Sequence, residues 1–311
     1  MNLHHDLTNH NLSTIPAIIG TTASGKSALA IKIAQKFNLK IFSLDSLSVY
    51  KGIDIASAKP CSADLQAICH YGINVLNPSQ KCNAGIFLNL LREILKSENP
   101  QKMLIVGGTS FYLKSIIEGL SITPKVSEIA LRFIAKIAQN KAQSYALLQR
   151  IDKDFADKIS ASDSFRIAKG LQIYFATHQS PSAFFAQNPR QKLPFNIQIF
   201  ELIKERETLQ KDIEIRTERM FESGLIDEVR SLRQNFPHSQ TLKAIGIKEI
   251  IAFLEGKTTQ DDAKCAIIKN TMALAKRQRT FNRTQFGEIP HLDAQSLESA
   301  LIKYYESLNI P

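Results

Sequence analysis

Residues 20–27 read GTTASGKS and fit the pattern G-x-x-x-x-G-K-[ST] at every fixed position. Each fixed residue type has a task around an anion. Glycines let the backbone pass close to phosphate oxygens, with successive N–H groups turned inward at the start of the next helix. Lys26 supplies a point charge, and the Ser27 hydroxyl is the kind of ligand that holds Mg²⁺. An apolar segment precedes the loop and a helical one succeeds it, which is the context this motif requires. A nucleotide is a common occupant of such a loop.

Residues downstream of the loop separate the chemistries. A nucleotide hydrolase needs an acid closing a later apolar strand, to hold Mg²⁺ and position water. The candidate strand MLIV ends instead in Gly107, Gly108 and Thr109. The acid comes earlier, at Asp45, on the segment after the loop helix. A carboxylate there suits a group that accepts a proton from an acceptor substrate, so a transferase fits better than a motor or switch. Asp45 also reads as a helix N-cap, because Ser-Leu-Ser comes directly after it. The sequence supports both readings.

These residues must be held by an α/β core. IPAIIG, LKIFSLDS, YGINVLN and KMLIVGGTS read as strands, and residues 27–37, IFLNLLREILKS and FYLKSIIEGL read as helices. Alternation of this kind predicts a parallel sheet with both faces covered. Residues 1–120 are read as the first part of this core. Residues 121–195 are read as a helical insert: Ile129, Phe133 and Ile137 recur at helical spacing, as do Leu147, Ile151, Phe155 and Ile159. FNIQIFELI then returns to strand character, and residues 196–311 complete the core and continue as basic helices, with everything after Glu205 read as helical.

The last long helix is one-sided in charge. Lys269, Lys276 and Arg283 are seven residues apart and share a face, Lys264, Arg277 and Arg279 add charge, and no acid occurs between Lys264 and Arg283. Cys265, Ile268, Met272 and Ala275 are read as the opposing apolar stripe. A solvated surface helix is one reading. A nucleic-acid backbone is favoured, because such a run repels itself unless an anion lies on it. The 311 residues carry a formal net charge of +10, which also attracts polyanions. No apolar run approaches the ~20 residues of a membrane span. MNLHHDLTNHNLST has no basic stretch leading into an apolar one, so a cytoplasmic protein is expected. Cys61, Cys69, Cys82 and Cys265 lack the close pairs of a zinc site and are read as reduced structural thiols.

Three stretches together resemble the tRNA dimethylallyltransferases, also called tRNA isopentenyltransferases. They are GTTASGKSALAIKIA, SLDSLSVYKGIDIASAKP at residues 43–60, and GGTSFYLKSIIEGL at residues 107–120. Weaker similarities, SDSFRIAKGLQIY, RTERMFESGLIDEV, AIGIKE and LAKRQRTFNR, extend the match to Arg283. Thr21, Lys169, Gln172, Ile247, Met272 and Phe281 depart from the family pattern, and most of these positions are read as facing RNA.

The resemblance implies that a dimethylallyl group moves from dimethylallyl diphosphate to N6 of the adenosine 3′ to the anticodon, position 37, and that diphosphate leaves. Gly20, Thr21, Thr22, Ala23, Ser24, Gly25, Lys26 and Ser27 would bind the diphosphate, with Arg216 as a further clamp and Mg²⁺ held through Ser27. Asp45 would act as general base and Thr109 would hydrogen-bond near the reacting centre, although Thr109 also reads as a helix cap. Asp45, Ser46, Leu47, Ser48, Arg166, Lys169, Lys243, Lys248, Lys276 and Arg277 would face the tRNA anticodon loop. A monomer without membrane contact is expected. A loop-containing small-molecule kinase is the alternative, and a non-catalytic RNA-binding protein is a third reading.

Overall fold

The computed structural model describes residues 13–122 and 124–308. The N-terminal stretch considered for a leader lies, up to residue 12, outside the described residues. The strand β1 (Thr14–Gly20) is buried from Ile15 to Gly20, as befits an apolar run covered on both faces. It pairs along its whole length with β5, but its ladder with β4 begins only at Ala17. Pro16, which lacks an N–H, thus precedes that ladder.

From β1 the chain runs through α1 (Lys26–Phe37), β2 (Lys40–Ser43), α2 (Ser62–Ala67), β3 (His70–Tyr71), α3 (Ala84–Ile94), β4 (Met103–Val106) and α4 (Ser110–Glu118). Five helices come next: α5 (Glu128–Ile137), α6 (Lys141–Ile151), α7 (Lys153–Ala156), α8 (Ser164–Thr177) and α9 (Pro181–Gln187). Then come β5 (Asn196–Leu202), α10 (Arg206–Glu222), α11 (Leu225–Asn235), α12 (Ile247–Leu254), α13 (Gln260–Gln285), β6 (His291–Leu292) and α14 (Ala294–Ser307). The six strands form one sheet in the order β3-β2-β4-β1-β5-β6, every pairing parallel. One core joins α1 and α14 to the sheet through Leu29, Ile33, Leu104, Phe200, Leu297 and Leu301. The Tyr305 hydroxyl, buried in this core, donates to the Met103 carbonyl at 2.9 Å. Among the described residues no helix is long and apolar enough to cross a membrane.

Three local readings change. The strand expected over YGINVLN shrinks to β3, because Gly72 and Asn74 take positive φ and end the extended run. Only Leu76 bridges back, to Tyr50. A sixth strand, β6, was not expected after Glu205; at two residues it is too short to leave a pattern. The run from Leu147 to Ile159 is broken at Asp152, which caps α7 by accepting the Phe155 N–H.

The chain packs as two compact units, one formed by the described residues up to Ile117 and from Leu193 on, the other by residues 118–192. The second unit has its own core of Ile134, Leu148, Ala156, Ile167 and Leu171. On α5 it is Ile134 that is buried, whereas the expected Ile129 and Phe133 are exposed. The two ends of this unit meet: Leu120 bridges Gln191 in antiparallel fashion, and Arg190 pairs with Glu118 at 2.5 Å. Gly119 has positive φ there, and a Cβ on it would lie 2.4 Å from the Gln191 carbonyl oxygen.

Candidate active site

A cleft of about 1320 Å³ opens where β1, β2 and β4 end, walled by α10 and α13. Crevices at the carboxyl ends of parallel strands are the usual ligand sites of such sheets. Thr22, Ala23, Gly25, Lys26 and Ser27 line it. The loop closes with Ala23 and Gly25 at positive φ, and Lys26 opens α1. Gly20, Thr21 and Ser24 are absent from the lining and build the loop from behind. A Cβ on Gly20 would lie 2.5 Å from the Leu202 carbonyl oxygen, so glycine is needed for approach to β5. The Thr21 carbonyl and the Ser24 hydroxyl accept from Lys26 Nζ at 2.5 and 3.5 Å.

Lys26 is buried, and burial lowers its pKa to about 8. Arg216 pushes it the same way, while Asp45 and Glu201 oppose the shift. Arg216 comes from α10 and donates to the Thr22 hydroxyl at 3.2 Å. Burial lowers its pKa too, and Asp45 again opposes. Lys26, Arg216 and Asp45 therefore share the cleft with the exposed Ser27 and with the left-handed turn at Ala23 and Gly25.

Asp45 lies two residues beyond β2, and both sequence readings of it hold geometrically. Its Oδ1 accepts the N–H groups of Leu47 and Ser48 at 2.8 and 2.9 Å and so caps the turn beyond it. Its Oδ2 has no hydrogen-bond partner among the described residues. The Thr109 hydroxyl accepts the Ser46 N–H at 3.3 Å, which ties the end of β4 to the Asp45 turn. Two buried hydroxyls on the lining, those of Ser48 and Ser110, have no partner among the described residues.

The opposite wall, residues 54–60, is held by ionic anchors. Glu228 on α11 accepts the N–H groups of Asp54, Ile55 and Ala56 at 2.8, 2.8 and 2.9 Å. Lys59, its side chain almost fully buried, donates to the Tyr50 carbonyl, Asp54 Oδ1 and Asn74 Oδ1 at 2.6 to 2.7 Å. On α13, Gln278 bonds both Thr22 and Gly108, and the buried Asn282 donates to Glu201 at 2.7 Å. Sequence reasoning passed over Glu228, Lys59 and Gln278. For Gln278 a signal existed: Ala275, Gln278 and Asn282 continue the inward face of α13 at three- and four-residue steps.

Of the residues expected to face RNA, Asp45, Ser46, Leu47, Ser48 and Arg277 line the cleft. Lys243, Lys248 and Lys276 are exposed outside its lining. Arg166 and Lys169 lie on α8 in the other unit, where exposed Arg166 pairs with Asp163 at 3.2 Å. Cys265 is exposed and does not belong to the apolar stripe of α13, which runs instead through Ile268, Met272 and Ala275 against Leu209 and Ile213 of α10. Lys264 is paired with Glu218 at 2.5 Å, so it adds no free charge. Two departures from the family pattern face the protein rather than solvent: Ile247 is fully buried and Met272 packs into the α10–α13 core. Cys61 and Cys69 are also exposed, which removes the structural reading for three of the four thiols.

The model of the IPP transferase family matches residues 48–285. The tRNA dimethylallyltransferase of Nautilia profundicola is 47% identical over 92% of this chain and 98% of its own length. That of Helicobacter pylori strain J99 is 43% identical, with 94% of each chain covered. Among solved structures, a eukaryotic dimethylallyltransferase captured acting on tRNA superposes with a TM-score of 0.82 at 26% identity, covering 96% of this chain and 80% of its own. The tRNA isopentenylpyrophosphate transferase of Staphylococcus epidermidis gives 0.65 at 28% identity, covering 96% and 99%.

Proposed function

The chain belongs to the IPP transferase family, and from that premise we infer a tRNA prenyl transferase that takes its dimethylallyl group from dimethylallyl diphosphate. The acceptor is N6 of the adenosine 3′ to the anticodon. The observation that carries this reading is the sharing of one cleft by the phosphate loop, Lys26, Arg216 and the half-free carboxylate of Asp45.

In the reaction the N6 lone pair attacks the allylic carbon, the C–O bond to the diphosphate breaks, and the electron pair leaves with the bridging oxygen. Lys26, Arg216 and the loop N–H groups meet the charge that grows there, and such fixed donors act most strongly away from water. The amine is a poor nucleophile because its lone pair is conjugated into the purine. Asp45 Oδ2 accepts the N6 proton as the new bond forms, help typically worth about 10²–10⁴-fold. Its Oδ1 meanwhile stays fixed to the turn, which keeps Oδ2 in place. An adenine stacked in the anticodon loop must leave its stack to reach this carboxylate.

The donor set fits Mg²⁺. The Ser27 hydroxyl is a hard oxygen on the cleft wall, and among the described residues no three His, Cys, Asp or Glu side chains form a metal cage. Mg²⁺ is commonly held in this way, by one or two protein oxygens together with substrate phosphates. When bound it would neutralise part of the diphosphate charge.

The test is incubation of the protein with dimethylallyl diphosphate and unmodified tRNA, with nucleosides analysed by mass. N6-prenylated adenosine is expected, and none with the wild type would overturn the assignment. Gel filtration and cell fractionation would test the monomeric, cytoplasmic protein that accompanies this reading.

A further inference from the structure

Gln278 spans two parts of the cleft with one side-chain amide. Its Oε1 accepts the Thr22 N–H at 2.8 Å, and its Nε2 donates to the Gly108 carbonyl at 2.9 Å. These partners fix the orientation of the amide, since an N–H requires an acceptor and a carbonyl a donor. Thr22 belongs to the phosphate loop, and its hydroxyl is held separately by Arg216. Gly108 adjoins Thr109, whose hydroxyl takes the N–H of Ser46 beside Asp45. A continuous path of bonds thus runs from the leaving-group side to the carboxylate side, and α13 enters it through Gln278. Position 108 is shaped for this link: a Cβ there would lie 2.8 Å from Gln278 Nε2.

Resting on the prenyl-transfer reading, we propose that Gln278 is a positioning residue that sets the spacing between the phosphate loop and the Asp45 turn. The displacement requires amine, allylic carbon and departing oxygen to lie nearly in line. An error of about 1 Å in such an alignment costs on the order of 10²-fold in rate. Gln278 acts through Thr22 and Gly108, and its loss changes turnover more than it changes affinity.

The experiment measures steady-state prenylation of unmodified tRNA by wild type, Gln278→Leu, Gly108→Ala and the double variant, with thermal melts beside each. Gln278→Leu is expected to lower kcat about 10- to 100-fold, with KM for each substrate changed less than about twofold and a melting temperature close to wild type. Gly108→Ala keeps the glutamine but displaces its amide, so it should reproduce the same split. The double variant should lose little more than the worse single variant, because one link is broken either way. A folded Gln278→Leu with unchanged kcat overturns the proposal, as does a raised KM for dimethylallyl diphosphate with kcat kept. If Gln278→Leu does not fold, Gly108→Ala decides by the same criteria. A wild type that makes no prenylated adenosine overturns the prenyl-transfer reading as well, and that outcome is distinct from a variant that turns over normally.

Discussion

At the scale of single residues, the cleft sets two protonation states against each other. Burial places Lys26 at about 8 against an ordinary value of 10.5. The ligand-free protein therefore carries a cation that the unfolded chain solvates better. This costs about 3 kcal/mol below pH 8 and fades as pH rises from about 8 toward 10.5, because the unfolded state then binds the extra proton. A bound diphosphate reverses the preference and draws the proton back. Affinity for dimethylallyl diphosphate should fall about tenfold per pH unit above 8, and binding at pH 8 should take up about half a proton, rising toward one at higher pH. Calorimetry in buffers of differing ionisation enthalpy reads both effects. Lys26→Met should bind weakly with no such slope, and a flat wild-type profile from about pH 7 to 9.5 would remove Lys26 from this role. Asp45→Asn offers a clean separation of that residue's two tasks. The amide oxygen can still accept from Leu47 and Ser48, so the turn survives, while the base is gone. A kcat loss of about 10²-fold or more is expected, with diphosphate affinity kept; near-normal turnover would leave Asp45 a cap only. That Lys26, Ser27 and Asp45 line one cleft was legible in the sequence, because they stand at short spacings along one strand–loop–helix–strand unit. Gln278 and Glu228 were not, because their partners lie 256, 170 and 172 to 174 residues away.

Elements carry the next layer. The wall at residues 54–60 has no regular ladder of its own, and α11 supplies an acceptor for three of its N–H groups. Hydrogen bonds to a charged group are each worth about 1.5–3 kcal/mol when partly shielded. Glu228→Ala should therefore lower stability by at least about 2 kcal/mol, the worth of one such bond, and speed amide exchange at Asp54, Ile55 and Ala56 far more than across the sheet. Exchange at those three amides that matches wild type would show the anchor to be idle. Helices long enough to repeat a pattern, such as α3 and α13, were readable from the sequence. The errors fell where the repeat was short or interrupted: β3 ends at Gly72, and α6 gives way to α7 at Asp152. On α13 the charged face was legible. The inner face was misread at Cys265, because periodicity gives a stripe's direction only to within about one residue.

For the whole molecule, the parallel α/β class was readable from alternating segments, but the strand order was not, since crossovers are chosen by packing between distant helices. The charge surplus is likewise a property of the whole. Lys269, Lys276, Arg277, Arg279 and Arg283 are exposed along α13, and no acid on that stretch of the helix neutralises them. tRNA affinity should fall with salt along a log–log slope of about −0.7 for each single-strand phosphate neutralised. Reversing Lys276 and Arg277 to Glu should flatten that slope, which filter binding across a salt series would read; an unchanged slope would place the RNA backbone elsewhere. The closure of residues 118–192 at their own base has a different consequence. Because the chain enters and leaves through neighbouring residues, Leu120 and Gln191, this cassette can be excised and its stumps rejoined by a tight turn with little added loop-closure entropy. The sheet-bearing remainder, which keeps all six strands, should then melt cooperatively by itself, and a broad or absent thermal transition would show that its fold depends on residues 118–192.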